Sequence, residues 1–250
     1  MTDRYGDTRP ASPETLGGAA APEPTLAEDL LLLLFQPDSG LRSGSGTIAG
    51  EGTLFYVLAG AVLADLGLGD HVRTGTGRLG STTVAAVVDN PPTDHLLRAS
   101  WEYVADKPRG VQTVLAAMGP TLREPLLDRL IERGDLRRST RKTLGLFETS
   151  VLEEGDSGRR AGLLGAVRAV LVDGVAPSPR VAALAALLYG SGTLPQFDRD
   201  IPWTSRVIAR AEELKDGNWG AEATAKAVVR TITAVIVSSV VVAAAALPRG

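Results

Sequence analysis

Seven cations crowd the stretch Thr121–Phe147 (TLREPLLDRLIERGDLRRSTRKTLGLF): Arg123, Arg129, Arg133, Arg137, Arg138, Arg141 and Lys142. Guanidinium groups form forked, charge-assisted hydrogen bonds to phosphate oxygens. The chemistry open to such a cluster is anion capture, on lipid or on nucleic acid. Asp128, Glu132 and Asp135 interrupt the run, and local pairing into a solvated face is the competing reading. A second candidate is Arg42, in the glycine- and serine-rich stretch Leu41–Gly52 (LRSGSGTIAGEG). Backbone N–H groups of such a loop can wrap a phosphate. The stretch contains no GxxxxGK[ST], however, and reads as a flexible connector.

Other chemistries find little support. The chain has no cysteine, which excludes thiol catalysis, disulfides and thiolate metal sites. His71 and His95 are its only histidines, too few for a multi-histidine metal centre. GxSxG, HExxH and the kinase signatures are missing, Gly75-Thr-Gly77-Arg-Leu-Gly80 joins the two runs of a hairpin rather than a strand to a helix, and Gly44-Ser45-Gly46 lacks the strand–elbow–helix context of a nucleophile. Glu153–Glu154 reads as surface charge. No catalytic residue, cofactor or metal is assigned.

The elements that must position the cations follow from apolar spacing. Leu122, Leu126, Leu127, Leu130 and Ile131 recur on one helical face, Pro125 sits in the first turn, and Gly134 suits a left-handed cap. The helix is expected to feed two short strands, Leu136–Arg138 and Thr143–Phe147, with the arginines outward and an acidic loop over Glu148–Gly158. Upstream, Met1–Pro24 reads as a disordered tail. Thr25-Leu-Ala-Glu28 matches a capping box and opens a leucine-rich helix to Phe35. Leu54–Leu66 is an apolar helix ended by Gly67. Asp70–Thr74 and Ser81–Val88 form a hairpin. Helices to about Ala105 and over Gly110–Met118 come next. Downstream, helices are predicted over Arg159–Val172, Val181–Tyr189 and Pro202–Lys215, with a last one from about Gly220.

Composition agrees with one mostly helical domain over residues 25–250. Apolar residues make up 44% and aromatics 4% of the 250 residues, so Leu, Val and Ala must build the core. A net charge of −3 means that any basic patch is local. The amino terminus lacks signal-peptide character, so a cytoplasmic location is expected. Thr231–Leu247 is uncharged between Arg230 and Arg249. It is shorter than the roughly 20 apolar residues of a membrane span, and a buried core helix is preferred over an anchor. The fold class is mainly α: a single helical domain with small β-hairpins, one of them protruding.

Several of these stretches, in order, resemble the Golgi phosphoprotein 3 family, in its bacterial form. They are TLAEDLLLLLFQPDSG, the helix Leu122–Leu136 with its arginines and terminal glycine, Leu144-Gly-Leu-Phe147, and Val181–Tyr189. The likeness runs from about Thr25 to Ala246. It implies a single helical domain with a protruding hairpin and a non-enzymatic adaptor that binds phosphatidylinositol 4-phosphate and retains glycosyltransferases. The family's headgroup pocket uses a tryptophan and an arginine near the first loop, plus two arginines three apart on the helix before the hairpin. By position, one helix arginine is Arg123. The other falls at Pro120, the loop tryptophan within Ser43–Gly46, and the loop arginine near Thr53. Arg42 supplies a charge at a non-equivalent place. Charge-assisted phosphate contacts contribute roughly 1.5–3 kcal/mol each, so losing three of four groups should abolish tight headgroup capture. A weaker attraction of about 1 kcal/mol per Lys or Arg near an anionic surface remains.

The leading expectation is therefore a peripheral membrane or adaptor protein at the inner membrane face. Arg123 and Arg42 would meet an anionic phospholipid headgroup, and Arg133, Arg137, Arg138, Arg141 and Lys142 would form a basic hairpin surface. A protein client and a homo-oligomer through the hairpin are the further partners. The alternative is a winged-helix nucleic-acid binder built on Val111–Met118, the Gly119-Pro120 corner, Leu122–Arg133 and the hairpin. The acidic balance weighs against nucleic acid.

Overall fold

Thr25 opens the first helix as the capping box requires: its hydroxyl accepts from the Glu28 N–H at 3.2 Å, and the Glu28 carboxylate accepts from the Thr25 N–H at 2.7 Å. The helix, α1 (Leu26–Leu34), is buried along all nine residues, Glu28 and Asp29 included. This is a computed structural model, and it describes residues 22–37, 46–143, 147–218 and 223–246. Phe35–Gln36 (β1) pairs antiparallel with Thr47–Ile48 (β2), closing the glycine-rich stretch onto the end of α1.

The second helix, α2 (Leu54–Leu68), is apolar on nearly every side and lies against α1. By length and composition it is the one helix among the described residues able to cross a membrane. Most of its surface is nevertheless packed against other helices, the position expected of a helix apolar all round in a large core. A small antiparallel sheet follows, with β3 (Val72–Thr76) on β4 (Thr82–Ala86), and the short β5 (Arg109–Gly110) on β4's other edge. Between β4 and β5 runs α3 (His95–Ala105), capped by Asp94, and after β5 come α4 (Val111–Met118) and α5 (Arg123–Glu132). The hairpin of β6 (Leu136–Thr143) and β7 (Phe147–Glu154) leads to α6 (Arg159–Leu171), α7 (Pro179–Gly190), α8 (Ser205–Lys215) and α9 (Ala223–Ala246).

The mainly helical reading holds, with two corrections. The acidic stretch after Phe147 is a strand through Glu154, in which two acids stand opposite cations of β6: Glu153 faces Arg137 and Glu148 faces Lys142. The first hairpin gains β5 as a third strand. The last helix seats Val228, Val229, Ile232 and Ile236 in the core. Beyond Val237, nothing is described of its side chains. Leu144–Leu146 and residues 1–21 lie outside the described residues, as does most of the stretch read as a tail.

Two acids buried in a leucine-rich helix need partners, since an unpaired buried carboxylate is costly. They find them far along the chain. Glu28 takes Arg133 Nε at 2.8 Å and Arg129 at 3.1 Å. Asp29 takes Arg180 Nε at 2.7 Å and also Arg159, which forks to the buried Asp135. Asp65 of α2 accepts the Leu26 N–H at 2.7 Å and lies 3.6 Å from Arg180. Arg133 and Arg180 also donate to the carbonyls of Pro22 and Pro24, at 2.7 and 2.6 Å. The hub thus ties α1 to α2, α5, α6 and α7.

Removing one member strands the others. Asp29→Ala leaves Arg159 and Arg180 short of a partner and is expected to cost about 3–5 kcal/mol in urea unfolding. Glu102→Ala, which removes the exposed pair with Arg98, should cost no more than about 0.5 kcal/mol. Similar losses from both would show that the hub carries no special weight.

Candidate functional site

The helix–hairpin junction is set by two glycines. At Gly119, a Cβ would lie 2.5 Å from the carbonyl oxygen of Phe55, so the turn between α4 and α5 packs directly on the first turn of α2. That contact brings the start of α5 beside residues 51–53. Leu126, Leu127 and Leu130 bury the inner face of α5. Gly134 then adopts φ +73°, a left-handed cap that turns the chain into β6.

Arg123 begins α5 with its side chain 40% exposed, and it is not free. Its Nε lies 3.2 Å from Glu51 and its Nη1 2.6 Å from Glu124. Glu124 also receives Arg138 at 3.5 Å, so two guanidinium groups converge on one exposed carboxylate. Asp128 sits 4.0 Å from Arg138. Arg137 pairs across the hairpin with Glu153 at 2.8 Å. Arg133, expected on the basic surface, is instead turned inward. The carboxylates of α1 draw both Arg133 and its neighbour Arg129 under the helix, which corrects the outward placement of both. Arg42 and the side chains of Arg141 and Lys142 lie outside the described residues.

The inward turn also undercuts a recognition helix for nucleic acid. What α5 presents to solvent is Glu124, Asp128 and Glu132, the wrong sign for a phosphate backbone. His71 is structural: its Nδ1 lies 2.8 Å from the Asn90 carbonyl, and its own carbonyl accepts from Trp101 Nε1 at 3.0 Å. His95 is exposed at the start of α3.

A model of the Golgi phosphoprotein 3 (GPP34) family matches residues 26–231, from the first buried leucine to the middle of α9. The chain belongs to the Golgi phosphoprotein 3 family. No curated protein matches it. Membership supports a Golgi phosphoprotein 3-like adaptor with phosphoinositide or protein partners at that coarse level. The 51–53 turn meets Arg123, and Glu51 brings a negative charge to that contact.

On the other side of α5 lies a groove that sequence reasoning missed. It is bounded by α3, α4, α5 and the chain at Pro22–Glu23, and encloses about 1300 Å³. Little in the sequence signals it: Asp128 and Glu132 stand one turn apart, but each is next to an arginine, as Glu124 is. At one end of the groove, Asp94 caps α3 by accepting from the N–H groups of Leu96 and Leu97, and it binds Arg129 in a fork at 2.6 and 3.1 Å. Burial works to raise the Asp94 carboxyl, but the hydrogen bonds from Arg129, Leu97 and Leu96 outweigh it and hold the group below its ordinary value. Asp65 behaves oppositely, pushed up chiefly by burial.

A carboxyl with a depressed folded pKa stabilises the fold above its unfolded pKa, and loses that contribution as pH falls through the folded value. Asn caps a helix as well as Asp does, so Asp94→Asn isolates the charge. The stability gap between wild type and Asp94→Asn should be full above about pH 4 and shrink as the solution is acidified further. Urea midpoints across that range measure it. A gap that widens on acidification would contradict the Arg129–Asp94 assignment.

Proposed function

We propose that the protein is a non-enzymatic adaptor that meets anionic phospholipid at the α5–hairpin junction, by charge rather than by tight capture of phosphatidylinositol 4-phosphate. The observation that carries this reading is the convergence of Arg123 and Arg138 on Glu124, whose side chain is 61% exposed. A phosphate offers the same pair of oxygens with more charge. Exposed ion pairs contribute only about 0–1 kcal/mol each, so displacing Glu124 costs little. Strong affinity is not expected, because Glu51, Glu124 and Asp128 outnumber the two arginines.

Arg42, Arg141 and Lys142 add to this surface in the proposal, at about 1 kcal/mol per cation near an anionic membrane. The site of action is the cytoplasmic face of a membrane, and the adaptor role requires a protein client. Self-association through the hairpin is consistent with β6 and β7 pairing only with each other among the described residues. The β7 edge is met at one point, where the Leu152 carbonyl accepts from the Gly46 N–H at 2.8 Å.

Sedimentation with vesicles tests the reading. Phosphatidylserine vesicles should retain the protein at low ionic strength and release it at physiological salt, where screening sets in at about 8 Å. Glu124→Gln removes the carboxylate that the two guanidinium groups share and should strengthen retention. Arg123→Ala should weaken it up to about fivefold, the equivalent of 1 kcal/mol. Absence of retention at low salt for both wild type and Glu124→Gln overturns the lipid reading.

A further inference from the structure

The groove beside α5 points to a different ligand. Leu96, Ala99 and Tyr103 of α3 face Met118 of α4, with Leu122 and Pro125 completing a mainly carbon lining. Its volume of about 1300 Å³ exceeds the roughly 300–1,000 Å³ of most small-molecule pockets. Both arginines at its inner end are already held, Arg129 by Asp94 and Glu28, and Arg133 by Glu28. The rim is acidic. Glu23, Asp128 and Glu132 are exposed there, and neither Glu23 nor Glu132 has an ion-pair partner among the described residues.

The placement of the α5 acids is unfavourable for the helix itself. Glu132 is its last residue, where the negative end of the helix disfavours a carboxylate. Asp128 stands four residues earlier, a like charge one turn away. The relief from described groups is weak: Asp128 has the distant contact with Arg138, and Glu132 the charge of Arg129, which Asp94 and Glu28 already hold. Two carboxylates held at such cost on the lip of an apolar groove are matched by a cation with an apolar body.

We propose that this groove binds a cationic amphiphile, a hydrocarbon body ending in a protonated amine, with the body against Leu96, Tyr103, Met118 and Pro125 and the ammonium between Asp128 and Glu132. An anionic amphiphile would meet three carboxylates at the rim. A neutral one would leave their placement unexplained. The site is separate from the Arg123–Glu124–Arg138 junction and does not depend on the lipid reading.

Calorimetric titration of the full chain with dodecylammonium, dodecyl sulfate and uncharged dodecyl maltoside, each below its micelle-forming concentration, tests the assignment. Dodecylammonium should bind saturably and at least about tenfold tighter than dodecyl sulfate, the equivalent of 1.4 kcal/mol. The Asp128→Asn, Glu132→Gln double variant should lose that preference. Ala99→Trp, a change at an exposed alanine on the groove wall, should block binding while leaving unfolding and vesicle retention unchanged. Equal or tighter binding of the sulfate overturns the proposal, as does binding indifferent to Ala99→Trp. A basic amphipathic peptide that binds in an Ala99→Trp-sensitive way where dodecylammonium does not would make the occupant a protein and overturn it too.

Discussion

Two carboxylates in the middle of the hydrophobic core set the terms for most of this molecule. Glu28 and Asp29 lie on a helix with no exposed face, so they stay charged at tolerable cost only if guanidinium groups come to them. Arg129, Arg133, Arg159 and Arg180 do so from three later helices. Apolar packing alone tolerates many small shifts of one helix against another. A forked arginine–carboxylate contact tolerates few, because both oxygens and both nitrogens must meet. The hub therefore fixes register where leucine and alanine surfaces would be permissive.

Satisfying those acids reshapes the outer charge. Arginines that would make α5 a cationic rod are consumed beneath it, and the acids between them are left on the surface. The consequence is two faces of opposite character on one helix. At its start, Arg123 and Arg138 share Glu124, an arrangement an anion can enter by exchange. At its end, Asp128 and Glu132 overlook an apolar groove. Membership in the Golgi phosphoprotein 3 family accounts for the scaffold, and the charge over it follows from where the buried acids draw their arginines.

Much of the scaffold could be read locally. The capping box at Thr25–Glu28, the apolar face of α5 and the glycine turn at Gly134 are short-range signals with short-range causes, and each appears where the residues place it. The direction of Arg129 and Arg133 could not be read that way. By helical spacing they are polar-face residues, and carboxylates far along the chain turn them under the helix, Glu28 for both and Asp94 for Arg129. A trace of this was present: Glu28 and Asp29 lie within a run of leucines that offers them no wet side. The strand over Phe147–Glu154 was hidden for a related reason, since its acids look like loop charge until the cations of β6 stand opposite. The groove was invisible because it belongs to three helices at once.

The hub also bears on how the chain is made. The acids of α1 emerge from the ribosome early, whereas their counterions are spread over residues 129 to 180. Glu28 meets its counterions once α5 has been made, whereas Asp29 waits for Arg159 of α6 and Arg180 of α7. The leucine-rich helix can therefore be buried with its charges matched only in the second half of synthesis. Acquisition of the native core is thus deferred to a late, long-range closure.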